Sequence, residues 1–359
     1  GNSLNPTASA TGTYTLIITN NTNGCTASAS TTVTSNASLP TAVATSSGII
    51  TCSVPQVTLS SSGSSSGNNF SYMWSSSTGQ IIGSPNGNSA TAGAAGQYTL
   101  LVTNLTNNCT ATFNIDVLDD LVLPTADAGV SQTLLCSQPF LTLDGSGSST
   151  GPNFTYQWSA SAGGNFVSPS NIQSPQVNQP GNYQVVVTNT TNGCTSTAQV
   201  QILQDANDPV VQIAQPAILN CNAAQITISA AGSSAGPNIV YDWSGPGILS
   251  GDSTLLPVVN SPGNYQLVIT NVTNGCTSSQ SVAVAQDIAA PPVDAGPDQI
   301  LNCYNPTQQI GGTGNPSGPN YSFSWTGSGI VSGANTPNPT VNQIDTFICV
   351  ITNITNGCK

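Results

Sequence analysis

The sequence predicts an all-β protein, a tandem array of Greek-key β-sandwiches with about 84 residues per module. Three observations predict it. Sequence markers recur in fixed phase, apolar and polar residues alternate between regular turn signals, and helix-favouring residues are nearly absent.

The repeats come first. The string Tyr183-Gln-Val-Val-Val-Thr-Asn-Thr-Thr-Asn-Gly-Cys194 recurs through the chain, and its final Cys falls at Cys25, Cys109, Cys194, Cys276 and Cys358, at nearly equal intervals. A second series, Cys52, Cys136, Cys221 and Cys303, follows the first at a constant offset. A Trp follows each member of the second series, again at a constant offset, at Trp74, Trp158, Trp243 and Trp325. Three independent markers in one phase establish a tandem array.

On this phase, residues 1–36 are the back half of a repeat. Residues 37–119, 120–204 and 205–286 are whole repeats, and residues 287–359 form one that stops after its last hairpin. The expectation is a window cut from a longer chain. The alternative is a permuted subunit whose leading strands complete the last domain of a neighbouring copy, since donated strands pair open sheet edges.

Within the repeat 120–204, Phe140-Leu-Thr-Leu143 and Phe154-Thr-Tyr-Gln-Trp158 alternate as half-buried strands do. In Gly181-Asn-Tyr-Gln-Val-Val-Val-Thr-Asn189, residues Tyr183, Val185 and Val187 share one face, and Cys194 to Leu203 gives a closing strand. Asn192-Gly193 between these two runs is a strong hairpin signal, because both residue types tolerate positive φ. It recurs at Asn23-Gly24, Asn274-Gly275 and Asn356-Gly357, and Asn107-Asn108 replaces it once. Trp74, Trp158, Trp243 and Trp325, with Tyr98, Tyr183 and Tyr265 from the hairpin strand opposite, are the expected core of each sandwich.

Composition excludes much. Charged residues are 4% of the 359-residue chain, against about 25% in ordinary domains. There is one Lys, no Arg, no His and no Glu; the acids are 13 Asp, and the net charge is −12. Triads built on His and histidine metal sites are thereby excluded. So is a basic footprint for nucleic acid. Asp119-Asp120 is the only adjacent carboxylate pair, lies in a linker, and is not reproduced in other repeats, so no catalytic residue is expected. No apolar run is long enough to span a membrane.

A resemblance follows from several strings: Pro124-Thr-Ala-Asp-Ala-Gly129, Leu141-Thr-Leu-Asp-Gly-Ser-Gly-Ser-Ser149, Phe154-Thr-Tyr-Gln-Trp-Ser159, Asn192-Gly-Cys-Thr195 and Pro292-Val-Asp-Ala-Gly-Pro-Asp-Gln299. Together they resemble PKD-type repeats, which are immunoglobulin-like sandwiches. The variant with paired Cys resembles tandem modules of giant secreted surface proteins of the Bacteroidota. That resemblance implies export by the type IX system and service as an adhesin, gliding filament or grappling-type appendage. The chain departs from the usual PKD pattern after the aromatic strand, where Ser and Gly (Trp158-Ser-Ala-Ser-Ala-Gly-Gly164) replace an acidic turn.

Ten Cys at fixed spacing in small modules predict disulfides and an oxidising, extracellular compartment. The default pairing lies within each repeat: Cys52–Cys109, Cys136–Cys194, Cys221–Cys276 and Cys303–Cys358. A rival scheme staples neighbours, Cys52 to Cys194 for example, where one module's lower pole meets the next module's upper hairpin. Pairing within repeats is the expectation carried forward. Cys25 lacks an earlier partner in either scheme, and Cys349 stands in register with Leu267 as a buried thiol.

Acids cluster at the junctions: Asp119, Asp120 and Asp127; Asp205 and Asp208; Asp287, Asp294 and Asp298. Solvated linker carboxylates are the simple reading, and a rigidifying calcium site at some junctions is the alternative. The junction Ser35-Asn-Ala-Ser-Leu-Pro-Thr-Ala42 has no acid. Asn-x-Thr triplets at Asn20, Asn104, Asn189, Asn271 and Asn353, with similar ones at Asn69, Asn153 and Asn320, match a glycan acceptor pattern, but turn chemistry is the simpler explanation.

Function narrows to two classes. One is a structural or adhesive stalk or filament whose partners are other copies of itself and a target surface that the sequence does not name. The other is a carbohydrate-binding or spacer array attached to a secreted enzyme. Aromatic residues are 6% of the chain and mostly fall at core positions, which favours the first. A neutral polar surface without Lys gatekeepers predicts self-association that is insensitive to salt.

Overall fold

The computed structural model describes residues 3–359, and every regular element among them is a β-strand. The protein is a tandem array of immunoglobulin-like β-sandwiches. It divides into two compact units. One comprises Gly1–Val130, Thr142–Val177 and Gly181–Gln201; the other comprises Ser131–Leu141, Asn178–Pro180 and Ile202–Lys359.

The sandwich of residues 44–117 shows how the pattern folds. One sheet orders Thr110–Val117, Gly96–Asn104 and Phe70–Ser76; the other orders Thr45–Ser46, Val57–Ser60, Ser89–Ala92 and Ile81–Ile82. Alternation along Gly96–Asn104 sends Tyr98, Leu100 and Val102 inward, all 0% exposed. They meet Trp74 from one strand and Leu59, Ala90 and Ala92 from the opposite sheet. Burial of this set is what holds two short sheets face to face. The core at residues 219–284 repeats the arrangement with Trp243, Tyr265, Leu267, Ile269, Ile228 and Val259.

Each indole N–H is satisfied by a carbonyl of the loop that follows its strand: Trp74 by Gly87, Trp158 by Ile172, Trp243 by Thr254 and Trp325 by Thr336. Burying an indole without that partner would cost part of what its area gains. Trp158 and Tyr183 are likewise buried, and Phe166 meets Tyr183 edge-on with ring centroids 5.3 Å apart. In the last repeat Trp325 pairs across the sheet with Cys349, as Trp243 pairs with Leu267. Burial pushes the Cys349 thiol pKa up.

A short parallel pair recurs at one end of three repeats and positions the site. Asp119 and Asp120 lie beside Ile50 and Thr51; Leu135 lies beside Asp205; Leu219 and Asn220 lie beside Gln286 and Asp287. The residue beside each terminal Asp is the one that precedes a Cys of the second series. The leading hairpin, Gly12–Thr19 with Thr26–Val33, keeps the same antiparallel register, but its apolar face is open. Leu16 and Ile18 are 59% and 62% exposed, whereas their counterparts Leu100 and Val102 are buried.

Candidate functional site

The cysteines of the second series sit in a common turn. In Thr51–Val54, Leu135–Gln138 and Asn220–Ala223, the first and fourth residues exchange backbone hydrogen bonds of 2.9–3.2 Å around the Cys. The cysteines of the first series sit just past a hairpin tip. There the Asn side-chain oxygen accepts the Cys backbone N–H, for example Asn192 from Cys194 at 2.9 Å.

Turn and tip meet in three places. Cys52 is bonded to Cys194, Cys136 to Cys276 and Cys221 to Cys358. This corrects the expected pairing within repeats: Cys52–Cys109, Cys136–Cys194, Cys221–Cys276 and Cys303–Cys358 are not formed, and Cys109 and Cys303 are free. The reason lies in the parallel pair. It brings the strand that leaves a repeat alongside that repeat's Cys turn, so the hairpin of the following repeat descends onto the turn.

A hydrogen-bonded latch surrounds each disulfide. The side-chain amide of Asn192 donates to Asp120 Oδ1 at 2.9 Å and to the Val122 carbonyl at 3.0 Å, and the Asn192 backbone carbonyl accepts the Ser53 N–H at 3.1 Å. Asn274 makes the same bonds to Asp205, Asn207 and Ser137. Asn356 makes them to Asp287 and Ala289, and its carbonyl accepts the N–H groups of Cys221 and Asn222. These three Asn residues are 0%, 0% and 1% exposed, and among the described residues every buried side-chain nitrogen or oxygen has a partner. A buried amide satisfied on all sides fixes one geometry, because any displacement strands a polar group.

Asn-Gly is therefore more than a turn signal. Gly193 sits at φ 72°, and a Cβ there would lie 2.5 Å from the Cβ of Ser53. Glycine supplies both the left-handed backbone and the close approach. At the junction without an acid, Asn107 reaches Asn36 Oδ1 at 3.3 Å and the Ser38 carbonyl at 3.0 Å. Sequence reasoning missed a signal for this: Asn36, Asp120, Asp205 and Asp287 all stand at one constant offset after a hairpin Cys.

The other acids fall elsewhere. Asp127 accepts the Gly129 N–H at 3.0 Å and Asp294 accepts that of Gly296 at 2.9 Å, bonds local to their own loops. Asp119 pairs in strand register with Ile50, and Asp298 lies in a cleft with Gln299, Trp325 and Asp345. Asp208 approaches Cys136 and Cys276, the one grouping of three metal-binding side chains among the described residues, and both sulfurs there are disulfide-bonded. At each latch one carboxylate oxygen of Asp120, Asp205 or Asp287 accepts an Asn amide. Asn274, then Asn207, hold the Asp205 carboxyl below its ordinary pKa.

The Asn-x-Thr residues have a turn role. Asn20, Asn104, Asn189, Asn271 and Asn353 each accept, through Oδ1 at 3.0 Å, the backbone N–H two residues on.

No protein-family model and no curated protein matches the chain. Among solved structures it is similar to the titin I-band fragment I67–I69 at 11% identity and a TM-score of 0.29, covering 69% of this chain and 96% of that one. It is similar to the N-terminal eight immunoglobulin domains of the Down syndrome cell adhesion molecule at 13% identity and TM-score 0.26, covering 95% and 56%. Drosophila N-cadherin domains EC1–4 match at 11% and 0.26, covering 77% and 83%. Among the described residues no helix is long and apolar enough to cross a membrane.

Proposed function

We propose that the chain is the structural, adhesive repeat region of a long extracellular filament or stalk, self-associating and used in attachment or cell–cell contact. The observation that carries this reading is the joint made three times over, a disulfide inside an Asn–Asp latch, between consecutive repeats. A flexible chain of independent binding modules has no use for covalent cross-links between neighbours. A load-bearing one does, because each staple carries tension past the linker. Disulfides of this kind persist outside the reducing cytosol, which supports an extracellular location. The type IX export route rests on the PKD-type resemblance.

The joint has no catalytic grouping, and the buried Trp residues offer no stacking platform for sugars. Stiffness at the junctions comes, in this reading, from the latch rather than from calcium, so a chelator is expected to leave the melting temperature unchanged. Electron microscopy of the assembled protein tests the whole proposal. Filaments of repeating beads are expected, while a chain that stays monomeric at high concentration in light scattering would refute self-association.

A further inference from the structure

The Asn-Gly pairs at the joints carry a chemistry that a turn does not need. Asn is a thermolabile residue, and a Gly after it leaves its own backbone nitrogen unhindered. That nitrogen can attack the carbonyl carbon of the Asn side chain. Asn192-Gly193 and Asn274-Gly275 stand at the centre of two joints. Asn86-Gly87 stands in the loop between Ile81–Ile82 and Ser89–Ala92. One chain therefore holds the same dipeptide in two settings.

In a joint every group that the reaction needs is held. The side-chain nitrogen of Asn274 donates to Asp205 at 3.0 Å and to the Asn207 carbonyl at 3.1 Å, and its side-chain oxygen accepts the Cys276 N–H at 2.9 Å. The Gly275 N–H donates to the Asn271 carbonyl at 2.7 Å. The Cys136 turn packs so closely on Gly275 that a Cβ there would run into Ser137. Asn192 and Gly193 are held in the same way, the Gly193 N–H by the Asn189 carbonyl at 2.7 Å. Both Asn residues are fully buried. Asn86 is exposed, and the Gly87 N–H reaches the Tyr72 carbonyl only at 3.3 Å. Ring closure needs the Asn side chain to fold back onto the following nitrogen, which in a joint breaks three side-chain bonds at once.

We infer that each of these joints is a one-way catch: closed, it preserves its Asn-Gly pair, and opened, it exposes the pair to a deamidation that keeps it from closing again. The Gly275 nitrogen forms a bond to Asn274 Cγ, the Cγ–Nδ2 bond breaks, and ammonia leaves with the proton that the Gly nitrogen loses. Water then opens the succinimide ring at either carbonyl, leaving aspartate or isoaspartate at 274 and releasing its proton to solvent; nothing is oxidised or reduced. Neither product fits the latch. An ionised carboxylate has no proton to donate, and it would face the Asp205 carboxylate and the Asn207 carbonyl, both acceptors. Isoaspartate also lengthens the main chain of the tip by one carbon. The inference stands on the geometry of the joint and is independent of the filament reading.

The test incubates the full chain in mildly alkaline buffer and follows Asn86, Asn192 and Asn274 by peptide mass mapping. In the unmodified protein Asn86 is expected to convert while Asn192 and Asn274 persist. In Cys136→Ser with Cys276→Ser, conversion of Asn274 should accelerate roughly tenfold or more, as local opening allows, while Asn192 keeps its protection. Conversion of Asn274 as fast as Asn86 in the unmodified protein, or no acceleration in the variant, overturns the inference. If Asn192 accelerates too, the variant has opened more than one joint, and Asp205→Ala with its disulfides closed decides: acceleration at Asn274 and not at Asn192 supports the inference, and any other result overturns it. A second measurement tests the catch. Chains reduced, aged and returned to a glutathione redox buffer should recover Cys136–Cys276 only where residue 274 is still Asn, whereas chains reoxidised without ageing recover it. Aged chains carrying aspartate or isoaspartate at 274 that recover the bond as fully overturn the one-way character.

Discussion

The amide of Asn274 donates to the Asp205 carboxylate at 3.0 Å, across 69 residues of sequence. Asp205 reaches it because it lies in parallel register beside Leu135, the residue before Cys136. Asn274 reaches it because it ends a hairpin whose Cys276 is bonded to that same Cys136. Covalent bond, hydrogen bond and sheet register thus specify one contact.

Replacing Asn274 with Ala removes a buried, fully bonded amide and should cost about 1–3 kcal/mol in denaturant unfolding. Asn274→Asp places a second carboxylate against Asp205 and should be worse at neutral pH, with recovery as either acid is protonated. An Asp variant as stable as the Ala variant at pH 7 would show that the Asn–Asp contact is not felt.

Acid should loosen the same joint in the unmodified protein. The folded pKa of Asp205 is lowered, first by Asn274. Its contribution is present above the unfolded carboxylate pKa of about 3.9 and is lost as the pH falls through the lower folded value. Asp345, held down first by Ser328, adds to the same window. The check is a melting curve at several acidic pH values, in which Asn274→Ala should flatten the Asp205 part of the slope.

Gly193→Ala should impair closure of the Cys52–Cys194 joint. The left-handed φ of 72° and the approach to Ser53 both oppose a Cβ, together costing on the order of 1–3 kcal/mol. Ser53→Gly in the same chain relieves the clash but not the backbone strain, so partial recovery is expected. Thiol titration during oxidative refolding reads the effect as slower loss of two thiols.

These residues show what was legible in the sequence. The sandwiches were, because alternation along Gly96–Asn104 and Gly181–Asn189 and a Trp in constant phase are local signals of burial. The cysteine series and the junction acids were also visible. Their connection was not. Pairing Cys52 with Cys194 depends on a parallel contact between Thr51 and Asp120, and nothing local announces a contact that closes across most of a repeat. Asn192 looked like a turn residue because it is one, and its second role exists only once the next Cys turn arrives.

Reduction should separate the covalent from the hydrogen-bonded part of the joints. Each staple closes a loop of 137 to 142 residues, for which chain entropy predicts about 5 kcal/mol of stabilisation. Cys136→Ser with Cys276→Ser should therefore lower unfolding stability by more than Asn274→Ala does. A loss no greater than that of Asn274→Ala would mean the latch, not the sulfur, holds the joint.

Alkaline pH probes the cores instead. Burial pushes the Tyr265 pKa up. Its hydroxyl donates to the carbonyls of Pro246 and Ser261, which only the neutral phenol can do. A raised folded pKa gives a contribution fully present below the unfolded tyrosine value of about 10 and lost as the pH rises through the folded one. Tyr183, raised for the same first cause, loses its contribution in the same direction. Tyr265→Phe should cost about 1–2 kcal/mol at neutral pH through the lost bonds. It should also shallow the alkaline decline, because one of the groups that must ionise is gone. Equilibrium unfolding of both proteins from neutral to strongly alkaline pH measures this, and parallel declines would exclude Tyr265 as a cause.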